Sequence, residues 1–388
     1  MPFYVSRGSV PHKRHTQFRR PDGQLYKEQV MGTRGFSGIQ SILYHIHPPT
    51  AVRRVTDLGP VVREYEEPGA LRHRHFRTGG LEPGGDILTG RRLLMGNQNV
   101  TISIARPNQP MDYFYRNGEG DELLFIHEGR GRLQTIYGSL PYQPGDYLVI
   151  PIGTTWRMLP EPDTPHRVLI FEAQGAIEPP KRYRNEYGQL LEHSPYCERD
   201  IRVPEELESF DEQGEFEVRV RAQGRITACR FDHHPLDVVG WDGFLYPWAL
   251  SIHDFEPITG SIHQPPPVHQ TFAGPDFVVC SFVPRLFDYH PEAIAVPYNH
   301  SNVDSDEVLY YVEGNFMSRR GIEVGSVTLH PSGIPHGPHP GAVEGAIGKS
   351  RTDELAVMID TFHPLRVARQ VPVPEDENYM YSWLEKRQ

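Results

Sequence analysis

The chain has 388 residues, and its 36 glycines and 37 prolines are too many breakers for a helical bundle or a coiled coil. No stretch approaches the roughly 18 consecutive apolar residues of a membrane-spanning helix, and a net charge of −11 disfavours both a membrane and nucleic acid as partners. Three widely spaced cysteines and the absence of an apolar leader at the start lead us to expect a cytoplasmic protein without a disulfide framework.

The chain divides by texture into five parts. Residues 1–95 carry many turn signals and predict an irregular segment that packs on whatever follows. Residues 96–175 form a first β-rich module, 176–215 a polar connector, 216–365 a second β-rich module, and 366–388 a tail with one candidate helix. The β-rich runs of the first module are 100–104, 123–126, 132–137, 147–150 and 167–171, separated by turn clusters.

The two modules repeat one another. Residues 121–129 read DELLFIHEG and residues 306–314 read DEVLYYVEG, with five of nine positions identical. Downstream, GDYLVIPIGTTW (145–156) matches GSVTLHPSGIPH (325–336) in its glycine and Pro-x-Gly positions. The repeat predicts an all-β fold of two antiparallel β-barrel modules with few short helices, in which polar residues converge inside each barrel mouth.

In the second module the converging residues are His300, Glu307 and His336. Two imidazoles and one carboxylate are the ligand set of non-haem Fe(II) centres that keep positions open for dioxygen and a substrate. We therefore expect these three residues to bind Fe(II). Asp306, next to Glu307, is the alternative carboxylate; the repeat favours Glu307 because Glu122 holds the same place in the first module.

The first module lacks this ligand set. The equivalent positions are Tyr115 or Asn117, Glu122 and Trp156, so both histidines are missing. We expect this copy to hold no metal, with Trp156 filling the place of one ligand.

The pattern of His, Glu, Gly and Pro-x-Gly-x-x-His resembles the cupin superfamily. Within it, GRITACRFDHHPLDVVGWDGFLYPWAL (224–250), PYNHSNVDSDE (297–307) and LHPSGIPHGPHPG (329–341) resemble segments of homogentisate 1,2-dioxygenases. The resemblance implies a non-haem iron enzyme of the extradiol type, which opens homogentisate with O2 to maleylacetoacetate in tyrosine and phenylalanine catabolism. It also implies a homo-oligomer, a trimer or a hexamer.

The resemblance extends to single residues. It implies catalytic roles for His263, as proton acceptor, and for His330, and substrate contacts for Tyr298 and His336. Arg319 is a candidate substrate contact as an anchor for an anionic group, and a solvated hairpin tip at Arg319–Arg320 is the alternative. Phe316 and the pair Arg319 and Arg320 stand where the family pattern has a tyrosine and a lysine. Another hydroxylated aromatic acid, such as gentisate, is therefore an alternative substrate. Two further alternatives are a non-enzymatic two-barrel binding protein and a Zn(II) sugar-phosphate isomerase.

Overall fold

The computed structural model describes residues 3–316, 319, 321–371 and 373–384. Over these residues it contains, in chain order, strands β1 (Val5–Gly8), β2 (Lys27–Gly32), β3 (Gln40–His45), β4 (Arg54–Pro60), β5 (Arg74–Arg77), β6 (Arg92–Gly96), β7 (Val100–Ala105), β8 (Phe114–Asn117), β9 (Asp121–Glu128), β10 (Gly131–Thr135), β11 (Gly138–Tyr142), β12 (Asp146–Ile150), β13 (Thr155–Pro160), β14 (Arg167–Ala173), β15 (Ile201–Arg202), β16 (Gln213–Ala222), β17 (Arg225–His233), β18 (Val238–Gly243), β19 (Trp248–Ser251), β20 (Gln270–Gly274), β21 (Phe277–Phe282), β22 (Arg285–Leu286), β23 (Asp306–Glu313), β24 (Ser326–His330), β25 (Arg351–Thr352), β26 (Leu355–Thr361) and β27 (Arg366–Val367).

Helical structure is scarce. Helix α1 (Ala342–Ala346) is the single α-helix of the described residues. The short 3-10 helices are Arg34–Phe36, Thr78–Gly80, Lys181–Tyr183, Glu198–Asp200, Ile252–Asp254, Pro266–His269 and Tyr379–Tyr381. None of the helices in the described ranges has the length and apolar composition needed to cross a bilayer.

The first barrel is built from two large sheets. One has the strand order β11-β10-β13-β8-β16-β17-β4, and the other β15-β19-β12-β9-β14-β7-β6-β27. All pairs in them are antiparallel except β8 with β16. Inside lies an apolar cluster that includes the fully buried Trp156 and Ile170. Burial of this cluster holds the two sheets face to face.

The second barrel contains a six-stranded sheet in the order β20-β21-β26-β23-β24-β5. Its central strand β23 reads DEVLYYVE, and all of its residues except Glu313 are buried. A small cluster of Cys280, Leu309, Tyr311, Phe316 and Met358 packs on one face of this sheet. The prediction of an all-β protein with two antiparallel barrel modules is confirmed.

Strand pairing crosses the module boundaries predicted from the sequence. Strands β16, β17 and β19 lie in sheets of the first barrel, although the sequence pattern places residues 216–365 in the second module. Strand β5 pairs with β24 of the second barrel, and β27 pairs with β6 of the first. Segments from before the first module and after the second therefore pair with sheet edges that would otherwise be exposed.

The sequence predicts an irregular segment before residue 96, and this prediction is wrong, because the segment contains strands β1 to β6. Three of them have partners from far along the chain: β1 pairs with β18, β4 with β17 and β5 with β24. Such strands are held by long-range partners and show little apolar alternation of their own; the residues of β4, for example, are nearly all exposed.

The tail holds a 3-10 turn at Tyr379–Tyr381 and no α-helix over residues 373–384, while residues 385–388 lie outside the described residues. Short isolated helices are marginal in water. Here the aromatic side chains of the tail are instead anchored separately: Tyr379 is 2% exposed, and the Trp383 indole N–H donates to the Gly337 carbonyl at 3.0 Å.

Candidate metal centre

The backbone brings His300 and His336 together. They form an isolated antiparallel bridge, in which each backbone N–H donates to the other residue's carbonyl, at 2.8 and 2.9 Å. His336 ends the PSGIPH corner, where Gly333 has a φ of +88°, a conformation that favours glycine. The centroids of the two imidazole rings are consequently 4.2 Å apart.

Glu307 completes the cluster from the neighbouring strand β23. Its Oε2 lies 3.5 Å from His300 Nε2, and its Oε1 lies 3.1 Å from His336 Nε2. One ligand atom from each of the three residues lies within 4.8 Å of the others, the one such group among the described residues. The adjacent Asp306 points away, since its carboxylate accepts from the backbone N–H groups of Ser332 and Leu365.

The electrostatics of this cluster fit a cation. His336 is 3% exposed, yet neither ring nitrogen has a hydrogen-bond partner among the described residues. Buried polar atoms are rarely left in this state unless an ion or ligand completes them. Burial alone would raise the pKa of Glu307, but the imidazoles of His300, His330 and His336, all within 3.5 Å of its carboxylate oxygens, hold it well below its usual range, so the carboxylate is ionised.

Two further residues, His330 and Tyr379, hold the Glu307 side chain in place through hydrogen bonds. His330 Nδ1 lies 2.8 Å from Glu307 Oε1, and His330 Nε2 lies 3.0 Å from the Tyr379 hydroxyl. Burial lowers the pKa of His330 to about 3, so this imidazole is neutral near pH 7. His330 is fully buried and is not among the residues lining the adjacent cavity, so it reaches the site through Glu307.

A cavity of about 210 Å³ opens beside His300 and Glu307. His263 lines it with its Nδ1 at 3.5 Å from Asp288 Oδ2, and Arg319 lines it from the other side. Tyr298 is 53% exposed and does not line the cavity; its ring is 5.1 Å from that of His263. Arg320 lies outside the described residues.

Arg319 is half-buried, and part of its guanidinium already contacts protein groups. Its Nη1 donates to the Gly337 carbonyl, and its guanidinium lies 5.7 Å from the Trp383 ring. Its Nε has no hydrogen-bond partner among the described residues. A donor therefore remains for an anionic group, as the sequence prediction of a substrate contact requires.

Several residues of this site escaped the sequence analysis. Asp360 faces Glu307 directly across strands β26 and β23, and Arg285 and Glu354 line the cavity. A signal for Asp360 does exist: Glu172 ends a similar apolar run in the first module, 50 residues after Glu122, and Asp360 follows Glu307 by 53. No local pattern marks Tyr379 or Arg285.

Fold and cluster together define a class: a two-barrel β protein with a candidate metal centre in its second barrel. Residues 5–252 match the model of the family described as "Homogentisate 1,2-dioxygenase N-terminal". The match ends before the residues of the cluster.

Whole-chain relatives extend the comparison across the site. A protein of Saccharolobus solfataricus named "Putative dioxygenase" is 42% identical over 387 residues, covering 99% of each chain. The homogentisate 1,2-dioxygenase of Emericella nidulans is 27% identical over 377 residues, covering 87% of this chain and 80% of that protein.

Among solved structures, a cupin 2 conserved barrel domain protein of Leptotrichia buccalis aligns with 79% of this chain and all of its own, at 9% identity and a TM-score of 0.38.

The chain belongs to the homogentisate 1,2-dioxygenase family. The resemblance stated from the sequence is therefore confirmed, and membership supports an oxygenase enzyme. Members of this family generally use iron, and the cluster of His300, Glu307 and His336 is where this chain could hold it.

Proposed function

We propose that the protein is an Fe(II)-dependent ring-cleaving dioxygenase that opens homogentisate with O2 to maleylacetoacetate, incorporating both oxygen atoms. The observation that carries the proposal is the convergence of His300, Glu307 and His336 at the wall of a cavity in the second barrel. Fe(II) held by these residues would supply open coordination positions for O2 and for the oxygens of a substrate.

The cavity suits a hydroxylated aromatic acid. Phe282, Leu309 and Met358 provide apolar wall, and Arg285 and Arg319 provide positive charge. The same cavity is also lined by Asp288, Glu307, Glu354 and Asp360, so the attraction for a substrate carboxylate is confined to the part of the wall next to the two guanidiniums. Arg319 is the preferred carboxylate partner, because its Nε lacks a protein partner within the described ranges.

His263 is the candidate proton acceptor. It lines the cavity with half of its side chain exposed, and Asp288 lies close enough to Nδ1 to orient the ring. An imidazole held in this way can accept the phenol proton of a bound substrate and so make the ring a better electron donor. His330 acts differently: it holds Glu307 in place and does not contact the substrate.

Gentisate is the second candidate substrate, favoured by one departure from the family pattern. Phe316 and Arg319 replace the expected tyrosine and lysine, and Phe316 packs with Tyr311 beside the cavity, at a ring distance of 4.8 Å. An arginine presents a planar fork to a carboxylate where a lysine presents a point charge, so the distance from the ring to the preferred carboxylate can differ.

Oxygen consumption tests the proposal. Protein reconstituted with Fe(II) under nitrogen is mixed with aerated homogentisate, and separately with gentisate, and O2 uptake and the ring-opened product are measured. We expect uptake with homogentisate, its loss in His336→Ala, and its retention in His12→Ala, which alters an exposed histidine that is not part of the cluster. Uptake with gentisate alone would move the substrate assignment, and no uptake with any hydroxylated aromatic acid would refute the proposal.

A further inference from the structure

The first barrel contains a counterpart of the metal centre, position by position. Strand β9 corresponds to β23, and on it Glu122 faces Glu172 as Glu307 faces Asp360. Tyr115 pairs with Trp156 as His300 bridges His336. The structure thereby identifies Tyr115, not Asn117, as the counterpart of His300.

An arginine supplies the positive charge at this counterpart site. Arg91 Nη1 lies 2.8 Å from Glu122 Oε1 and 3.1 Å from Glu172 Oε1, so it bridges the two carboxylates. Glu122 is fully buried, and the Arg91 side chain is 13% exposed. A fixed guanidinium thus neutralises this cluster without a metal ion.

A cavity of about 430 Å³ lies above this arginine, between the two sheets of the first barrel. Four guanidiniums line it, those of Arg63, Arg91, Arg219 and Arg221, against one carboxylate, that of Glu172. The volume falls within the range of small-molecule sites.

Each guanidinium of this wall has a carboxylate partner: besides Glu172, Glu122 contacts Arg91, Glu119 contacts Arg221 and Glu217 contacts Arg219. Glu172 is shared by three of the four guanidiniums, with Arg63 at 3.2 Å, Arg91 at 3.1 Å and Arg221 at 2.5 Å. Arg91 Nη2 has no hydrogen-bond partner among the described residues. Within the described part of the chain, Arg63 makes a single ion pair, through Nη2 to Glu172, and its side chain is 31% exposed, so its other N–H groups remain for a ligand carboxylate.

The rest of the cavity is suited to an apolar body. Tyr113 and Tyr115 line it near the arginines, with the Arg219 guanidinium 3.5 Å from the centroid of the Tyr113 ring. Leu58 and Val62 form the rim and are 49% and 70% exposed. The arginines at the base of this cavity and the apolar side chains at its rim fit a ligand that has an anionic group at one end and an apolar body.

We propose that the cavity of the first barrel is a second ligand site, which binds a small carboxylic acid with an aromatic body, independently of the metal centre. The carboxylate contacts the guanidiniums, and the ring lies between Tyr113 and the apolar rim. The duplicated barrel has thus kept a ligand cavity at the position where the second barrel has its metal centre.

Fluorine NMR of the full chain with 4-fluorophenylacetate tests this proposal. The second barrel also presents arginines, so we expect two bound signals. Val62→Trp, which crowds the exposed rim, should remove one signal, and Arg63→Gln should weaken the same site by roughly tenfold. Arg285→Gln, in the other cavity, should affect only the second signal.

The uncharged 4-fluorobenzyl alcohol is the matched probe, and it should give no signal that responds to Val62→Trp or Arg63→Gln. Thermal unfolding of each variant checks that the fold is retained. The proposal is overturned if no bound signal responds to these two variants, or if the alcohol binds at the first-barrel site as tightly as the acid.

Discussion

The hydrogen bond between His330 and Glu307 offers the sharpest test of how the metal centre is organised. His330 is neutral near pH 7, because burial lowers its pKa to about 3, and a neutral imidazole carries one N–H. The Glu307 carboxylate can only accept, so the N–H sits on Nδ1, 2.8 Å from Oε1, and Nε2 accepts from the Tyr379 hydroxyl at 3.0 Å.

The size of the effect follows from this geometry. Replacing His330 by Leu removes a hydrogen bond to a charged group, which contributes about 1.5–3 kcal/mol. Loss of such an outer partner typically weakens metal binding by about 10–100-fold. In His330→Asn, the amide nitrogen occupies the place of Nδ1, so the donor to Glu307 is kept while the contact with Tyr379 is lost. We expect the Asn variant to lose less than about tenfold.

Anaerobic titration of Fe(II) against a competing chelator measures these affinities, with thermal unfolding as the check on folding. His75→Leu is the matched control, because His75 is also fully buried and hydrogen-bonded, to Ser326 Oγ at 2.8 Å, but does not touch Glu307. The reasoning is refuted if the Leu variant binds Fe(II) as well as the unmodified protein, or if the Leu and Asn variants weaken binding equally.

Three further predictions concern the first barrel. Arg91→Met should lower the free energy of unfolding by about 3–5 kcal/mol in urea, because it removes the cation that two buried carboxylates share. Adding Glu122→Gln to this variant should restore part of the lost stability. Burial would raise the pKa of Glu172, but its arginines lower the pKa to about 2. The contribution of Glu172 to stability is therefore complete above about pH 4.5 and is lost as the pH falls towards 2. Over that range the difference in free energy of unfolding between the unmodified protein and Glu172→Gln should narrow by about 3 kcal/mol, and a constant difference would contradict the assignment. Trp156→Ala should lower the free energy of unfolding by about 3–5 kcal/mol, because it leaves a cavity in the first barrel. The number of iron ions per chain, measured by mass spectrometry, should stay unchanged.

The parts of the fold and site that the sequence predicted are those encoded within short segments. Glu307 and His336 lie in motifs that the chain repeats, so their spacing could be compared with Glu122 and Trp156. The alternation of short β-rich runs with turn clusters likewise indicated the two barrels. In each case the signal and the structure it predicts lie within about 40 residues of one another.

The parts that escaped prediction depend on contacts between distant segments. Val5 pairs with Gly243, and the Tyr379 hydroxyl reaches His330, contacts that leave no periodic trace in either segment. Arg91 lies just before a short strand and has no neighbour in sequence that marks it as the partner of Glu122. Local pattern reasoning has no access to such pairs.

The most direct test of the account is the number of iron ions held by the reconstituted chain and by His300→Ala, Glu307→Ala and His336→Ala. After anaerobic loading with Fe(II) and removal of free ion, we predict one iron per unmodified chain and a large loss in each of the three variants, with the His12→Ala control unchanged. Two irons per chain, or retention of iron when any of the three side chains is removed, would contradict the assignment of a single centre to the second barrel.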